Sequence, residues 1–153
     1  MLKSRTVVWT AIAAAGALLG VSGVALSQGA SPVEARQAAM KDIGQSMKGA
    51  APFNSPATPF DAAKVKTLMD AVAGDAKKLH SLFPAGSDTD PKTTADPKIW
   101  ANKADFDKRL TELGALATTA GKTTSTDTFK PAFSAVGGAC KSCHDIYRKK
   151  KTA

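Results

Sequence analysis

Four stretches of the chain repeat apolar residues every three or four positions, a spacing that places side chains on one face of an α-helix. They cover about residues 31–48, 59–83, 97–120 and 126–150, and breaks rich in Pro, Gly, Ser and Thr separate them. No stretch alternates apolar and polar residues for long, so the pattern predicts no β-sheet. Four helices joined by short or medium loops predict an all-α, antiparallel up-down-up-down four-helix bundle.

Residues that start and stop helices stand at the expected ends. Ser31 followed by Pro32 is a typical helix start, because Ser caps the first turn and Pro fits into it. Thr58 and Pro59 repeat this pair before the second helix, and Pro84 is expected to end that helix. These signals support the same four elements as the apolar spacing.

The beginning of the chain has the features of a secretory signal peptide. Lys3 and Arg5 make a short basic start, an uncharged run covers residues 6–27, and Ala25-Leu26-Ser27 offers the small residues of a cleavage site. The alternative is an uncleaved membrane anchor, but the run is rich in Ala and Gly and only weakly hydrophobic. We predict cleavage after Ser27, a mature domain of residues 28–153 without stable membrane insertion, and a periplasmic location.

Composition excludes several function classes. Two cysteines in 153 residues are too few for a scaffold with several disulfides or for a zinc site with four thiolates. The chain has no Gly-rich phosphate loop and no Ser-His-Asp motif. The formal net charge of +8 could suit nucleic acid, but an exported protein without exposed aromatics between its basic residues argues against that partner.

One short motif carries the candidate chemistry. Cys140, Cys143 and His144 form C-x-x-C-H, the attachment signature of c-type haem. Cysteines three apart on a helix face the same side, so both sulfurs can form thioethers at one porphyrin edge, and the next histidine can bind iron. A thioredoxin-like redox pair would need a βαβ setting, which the end of this chain does not offer. A chance occurrence with a disulfide or half a zinc site is the other alternative.

The chain resembles the class II c-type cytochromes, the group of cytochrome c′ and cytochrome c556. The motif lies in the last helix, whereas the familiar globular cytochromes c carry it near the start. The most specific resemblance covers residues 136–150, followed by 36–40 and 97–100, with Phe106 further on. Proteins of this group are known four-helix bundles, so the resemblance implies the same fold with one covalent haem c.

The resemblance also implies roles for three side chains. His144 would be the proximal iron ligand, and Arg36 would lie near a haem propionate. The residue four positions after this arginine faces the distal side of iron. In cytochrome c′ it is typically apolar and does not bind, but here it is Met40, which matches the low-spin c556 branch, where methionine is the sixth ligand.

Three other side chains compete with Met40 as the second ligand. In an antiparallel bundle His144 meets the early part of the first helix, so Met40 fits and Met47, about 10 Å further along, is better interpreted as core. Met69 is interpreted as packing, because methionine commonly fills gaps in cores. His80 follows two lysines and is interpreted as a surface or interface residue.

We therefore expect a periplasmic monohaem electron carrier with His/Met-ligated iron, and no enzyme. The alternative is a five-coordinate cytochrome c′ that binds nitric oxide or carbon monoxide. Basic residues around the motif suggest redox partner proteins that are acidic where they dock, since opposite charge raises encounter rates. Members of the group differ in oligomeric state, so a homodimer stays open. The basic residues are Lys141, Arg148, Lys149, Lys150 and Lys151.

Overall fold

The computed structural model describes residues 30–150, and these form the expected bundle of helices. The long helices are α1 (Pro32–Ala50), α2 (Ala62–Leu79), α4 (Lys103–Gly121) and α5 (Thr126–Tyr147), while α3 (Lys98–Ala101) is a single turn before α4. Within this part of the chain the only β pairing is one isolated antiparallel bridge, so the prediction of an all-α fold is confirmed. The predicted signal peptide lies outside the described residues.

Side-chain contacts show that consecutive long helices run in opposite directions. Arg36, at the start of α1, donates to the carbonyl of Leu82, just after the end of α2. His80, at the end of α2, lies 3.1 Å from Asp107 near the start of α4. Tyr147, the last residue of α5, donates to a carboxylate in the first turn of α4. The starts of α1 and α4 and the ends of α2 and α5 therefore share one end of the bundle.

That shared end is built from three aromatic rings in edge-to-face contact and one arginine, which we call the end layer (Arg36, Phe83, Phe106 and Tyr147). Phe106 lies between the rings of Phe83 and Tyr147, at centroid distances of 4.7 and 5.4 Å. The Arg36 guanidinium lies 4.9 Å from the Phe83 ring. Because each long helix or its flanking residue contributes one side chain, the layer fixes the register of all four helices.

The first residue of each of the first two long helices is set by its capping residue more than by the apolar spacing. α1 begins as expected, with a capping box between Ser31 and Glu34. The expectation that Pro59 starts the second helix is wrong, because Asp61 caps the Lys64 amide and α2 begins at Ala62. A carboxylate that accepts this hydrogen bond satisfies an amide that has no partner inside the helix.

The ends of the second and last helices also differ from the expectation. α2 ends at Leu79, and residues 80–83 turn to bring Phe83 into the end layer. α5 was expected to reach Lys150, but it ends at Tyr147, because the following residues pair with the loop before α3. Pro131 lies inside α5, close enough to its start to be tolerated.

The core fills the contact between α2 and its neighbours α1 and α4. Val65, Met69, Val72, Ala76 and Leu79 are completely buried along α2. Burial of a continuous apolar stripe is the main stabilising contribution to a bundle of this size. In residues 30–150 no helix has both the length and the apolar content needed to cross a membrane.

Candidate functional site

A cavity of about 650 Å³ lies between α1 and α5. Pockets of roughly 300–1,000 Å³ are the size that holds cofactors and other small molecules. The surface of this cavity is mostly apolar. The two flanking helices supply most of its walls: Arg36, Gln37, Met40, Ile43, Gly44 and Met47 from α1, and Gly137, Cys140, Cys143, His144 and Tyr147 from α5.

The cavity exists because α1 and α5 are held apart. α1 packs on α2, α2 packs on α4, and α4 packs on α5, whereas α1 and α5 share little or no direct contact. Packed helices normally lie 8–10 Å apart and interlock their side chains. The gap between α1 and α5 is therefore a slot with one helix on each side.

Two glycines keep opposite walls of the slot flat. Gly44 of α1 and Gly137 of α5 both line the cavity, and a Cβ atom at either position would have nothing within 4 Å. A helix-interior glycine costs about 1 kcal/mol relative to alanine. A pair of such positions across an apolar slot fits a flat group that approaches both helix backbones closely.

The predicted attachment motif opens into this slot. Cys140 and Cys143 both line it, both are half-buried, and both are free thiols. Burial raises the pKa of both thiols, and Arg109 opposes the shift at Cys143. The structure thus brings the two sulfurs to one wall of the cavity.

His144 lies at the rim, where the cavity meets solvent. The residue is exposed overall, yet neighbouring atoms cover enough of its ring that desolvation lowers its pKa, and Arg148 acts in the same direction. Asp145 opposes that shift. A neutral imidazole is the form that binds a metal ion.

Met40 lies on the opposite wall at the same level as His144. Met40 follows Arg36 by four residues along α1, and His144 precedes Tyr147 by three along α5. At 1.5 Å per residue, each lies about 5 Å from the end layer. Met47 also lines the cavity, so its interpretation as core is incomplete, but it lies about 16 Å from that layer.

The other two candidate ligands lie elsewhere. Met69 is completely buried between α2 and α4, as the interpretation as packing predicted. His80 does not line the cavity, and its ring lies 3.1 Å from the Asp107 carboxylate.

Arg36 lines the cavity, and hydrogen bonds to protein oxygens hold its guanidinium in place. Only 4% of Arg36 is exposed, and its Nη atoms donate to the carbonyls of Leu82 and Ser87 and to the hydroxyls of Ser87 and Thr93. Burial lowers the pKa of Arg36, and Asp90 and Asp88 oppose that shift. No carboxylate pairs with this buried cation within residues 30–150.

Sequence reasoning missed a polar cluster behind the cysteines. The Asp105 carboxylate accepts from Arg109 Nε and from the Tyr147 hydroxyl, each at 2.7 Å. Arg109 and Tyr147 both line the cavity. The four-residue spacing of Asp105 and Arg109 is a detectable helix pair, but nothing local signals the bond to Tyr147, 42 residues away.

Comparison with known proteins agrees with the fold and with the motif. The family model described as cytochrome c′ matches residues 31–148. A cytochrome c′ of Rhodopseudomonas palustris is 40% identical over 139 residues, which cover 90% of this chain and 94% of that protein. A cytochrome c-556 of Agrobacterium fabrum is 38% identical over 124 residues, which cover 80% and 84% respectively.

Solved structures give the same picture. The cytochrome c′ structure from Rhodopseudomonas palustris has a TM-score of 0.74 at 40% identity, covering 80% of this chain and 99% of that one. A cytochrome c556 structure from the same organism has a TM-score of 0.69 at 32% identity, covering 79% and 98% respectively. With an apolar slot, two thiols on one wall and a histidine at its rim, this chain belongs to the cytochrome c′ family of electron-carrying proteins with covalently bound haem c and its iron.

Proposed function

We propose that this protein is an exported, periplasmic carrier of single electrons whose iron is low-spin, with His144 and Met40 as its two axial ligands. When bound, the haem supplies the one-electron iron couple. Ligation on both sides leaves no open position for a substrate or a gas. Met ligation also favours a raised reduction potential.

The C-x-x-C-H motif is proposed to hold the group on α5. Cys140 and Cys143 would form the two thioethers, because both thiols face the slot from one helix. His144 would bind iron, and its lowered pKa favours the neutral, metal-binding form. Covalent attachment would fix the group to α5, so that any ligand from α1 must reach it across the slot.

The level of Met40 is the single observation that carries the His/Met assignment. Met40 and His144 each lie about one helical turn from the end layer, on opposite walls of the same slot. Met47 lies about 10 Å further from that layer. A bond between iron and sulfur is short, so a side chain at the wrong level cannot form it.

A haem propionate is proposed as the missing counter-charge of Arg36. Four N–H groups of Arg36 donate to protein oxygens, and the Nε–H is outside those bonds. A buried cation without an anionic partner is costly. An anion at the cavity rim would remove much of that cost.

Redox partners are proposed to dock beside His144 through acidic surfaces. A shallow depression around His144 is bordered by Asp145, Arg148, Lys149 and Lys150. Lys141 pairs with Asp145 and compensates its charge, so the border is net positive. Attraction between opposite charges raises the rate of encounter. A homodimer is compatible with this arrangement. One similar solved structure is a cytochrome c′ whose dimer dissociates under the control of a ligand.

Optical spectra of the haem-loaded protein test the proposal. We expect a narrow α band in the reduced state, a weak band at the red edge in the oxidised state, and no prompt change with carbon monoxide. Met40→Ala should give a broad high-spin spectrum that responds to carbon monoxide. Met47→Ala is the matched control, because it removes the same atoms from the same cavity.

Two results would overturn this assignment. A high-spin spectrum of the unaltered protein would favour a five-coordinate, gas-binding cytochrome c′. Two relatives carry the name cytochrome c′, so this function is the second candidate. If Met47→Ala gave the high-spin spectrum and Met40→Ala did not, the sixth ligand would be Met47 and not Met40.

A further inference from the structure

Two short segments outside the long helices bridge the slot between α1 and α5. At one end, the 3₁₀ turn Ala51–Asn54 packs against both helices. At the other end, residues 92–96, which we call the clasp, contact both helices through hydrogen bonds. Since α1 and α5 share little or no direct packing, these two segments are the direct links between the two helices.

The clasp is bound to α1 by two side chains that line the cavity. Arg36 Nη2 donates to the Thr93 hydroxyl oxygen at 2.5 Å. Gln37 Nε2 donates to the carbonyl of Lys92 at 2.9 Å. These side chains precede Met40 by three or four residues, about one turn, so the clasp is joined to the part of α1 that carries the proposed distal ligand.

The clasp is bound to the end of α5 by backbone and side-chain bonds. The Asp96 amide donates to the Tyr147 carbonyl at 2.9 Å, and the Lys149 amide donates to the Thr94 carbonyl at 2.8 Å. Lys149 Nζ also lies 3.3 Å from the Thr93 carbonyl. These contacts begin three residues after His144.

Thr93 is the point where the two sets of contacts meet. It is only 5% exposed, and its hydroxyl oxygen accepts from both Arg36 and the Ala95 amide. Its carbonyl accepts from Lys149. One buried residue therefore connects the wall that carries Met40 to the wall that carries His144.

We propose that Thr93 is a positioning residue that sets the width of the slot and keeps Met40 within bonding reach of the iron. This inference rests on the proposed His/Met ligation. Haem attached to Cys140 and Cys143 would move with α5, so a wider slot would separate Met40 from iron while the bond to His144 stayed intact. Loosening the clasp would thus detach one ligand only.

Thr93→Val tests this role, because valine has the shape of threonine and lacks the hydroxyl oxygen. Loss of a hydrogen bond from a charged, buried donor shifts an equilibrium by about tenfold or more. Carbon monoxide binds only when Met40 is off the iron, so its apparent affinity scales with the open fraction. We expect a high-spin fraction in the spectrum and about tenfold tighter carbon monoxide binding to the reduced protein.

Three matched variants separate positioning from a general loss of stability. Thr93→Ser keeps the oxygen and should restore the unaltered spectrum. Thr123→Val removes a hydroxyl that bonds only within its own turn, and should leave carbon monoxide binding unchanged. Lys149→Met removes one contact to the Thr93 carbonyl and should act in the same direction as Thr93→Val, with a smaller effect.

The results distinguish this inference from the proposed function. A low-spin unaltered protein in which Thr93→Val and Lys149→Met both leave the spectrum and carbon monoxide binding unchanged would overturn the inference alone. An effect of Thr123→Val as large as that of Thr93→Val would also overturn it. A high-spin unaltered protein would overturn the His/Met ligation, and the positioning role with it.

Discussion

The helix pairs α2–α4 and α1–α5 use the same kinds of residue for opposite purposes. α2 and α4 lie in close contact, and a Cβ atom at Gly121 would come within 3.2 Å of the Met69 Cβ. α1 and α5 stand apart, and the glycines between them, Gly44 and Gly137, have open space beside their backbones. Glycine thus allows two helices to touch in one pair and leaves room for a flat group in the other.

Methionine also has different roles in the two helix pairs. Met69 is completely buried in the closely packed pair, whereas Met40 and Met47 face the slot and are half-buried. A buried thioether fills space, while one beside a cavity can bind a metal. Residue type alone therefore does not reveal which role a position has, and the packing of the helix pair does.

The largest expected effect is the loss of the group that fills the slot. Replacing both thiols in Cys140→Ser/Cys143→Ser should abolish covalent attachment, so that acidified acetone extracts all pigment from the purified protein. The unaltered protein should keep its pigment in the precipitate. Ser142→Ala changes a residue between the two thiols and should behave like the unaltered protein. Retained pigment in the double variant would contradict the proposed thioethers.

Truncation of a methionine should have unequal effects in the two pairs. Met69→Ala should lower the free energy of unfolding by about 2–5 kcal/mol, because a completely buried side chain leaves a cavity in the core. Met47→Ala should cost about 1 kcal/mol or less, since protein atoms cover only part of its side chain. Guanidinium unfolding of the haem-loaded proteins measures both values. Equal costs would mean that the slot is as tightly packed as the core.

Enlarging a glycine should have a smaller effect, and only where the glycine lies between closely packed helices. Gly121→Val should destabilise the protein by about 1–3 kcal/mol, because the added side chain meets the backbone region of α2. Gly74 of α2 has nothing within 4 Å of a Cβ atom, and Gly74→Val should change stability by about 0.5 kcal/mol or less. The same unfolding measurement applies. A neutral Gly121→Val would show that the α2–α4 contact can spread at little cost.

The smallest expected effect is a pH dependence at the α4–α5 contact. Hydrogen bonds from Arg109 and Tyr147 lower the pKa of Asp105. Its contribution to stability is therefore complete above the unfolded-state value of about 4 and is lost as the pH falls through the folded-state value. Asp105→Asn should be less stable than the unaltered protein at pH 7, and the difference should shrink at pH 3.

Guanidinium midpoints at the two pH values measure that difference. Glu112→Gln, an exposed position on the same helix, should show a much smaller difference at pH 7. An Asp105→Asn penalty that is the same at pH 7 and pH 3 would contradict a stabilising role for the ionised carboxylate.

Local chemistry made the helices and the attachment motif predictable. The apolar spacing of α1 and the Ser31 cap are properties of adjacent residues, and C-x-x-C-H is complete within five positions. Helix ends that depend on tertiary contacts were predicted less well. Nothing near Tyr147 indicates that α5 stops there, because its carbonyl binds an amide about fifty residues earlier in the chain.

The surroundings of the site were largely hidden from sequence reasoning for the same reason. Thr93 lies in a polar loop that resembles any exposed connection, yet it is buried by contacts with both α1 and the segment after α5. Loops position functional groups through long-range bonds that leave no periodic pattern. The resemblance implied that Arg36 lies near a haem propionate, whereas its contact with the face of Phe83 became visible only in the folded chain.

The stacking around Arg36 gives the protein an internal optical reporter. Trp100 lies 5.6 Å from the Arg36 guanidinium and 6.0 Å from the Phe83 ring, so its indole is one side chain away from the slot. The chain has two tryptophans, and the other, Trp9, falls in the segment that we propose is removed on export. Tryptophan fluorescence from the exported protein would then come from Trp100 alone. The porphyrin would quench this fluorescence in the folded protein, and the fluorescence would rise when unfolding separates the indole from the porphyrin.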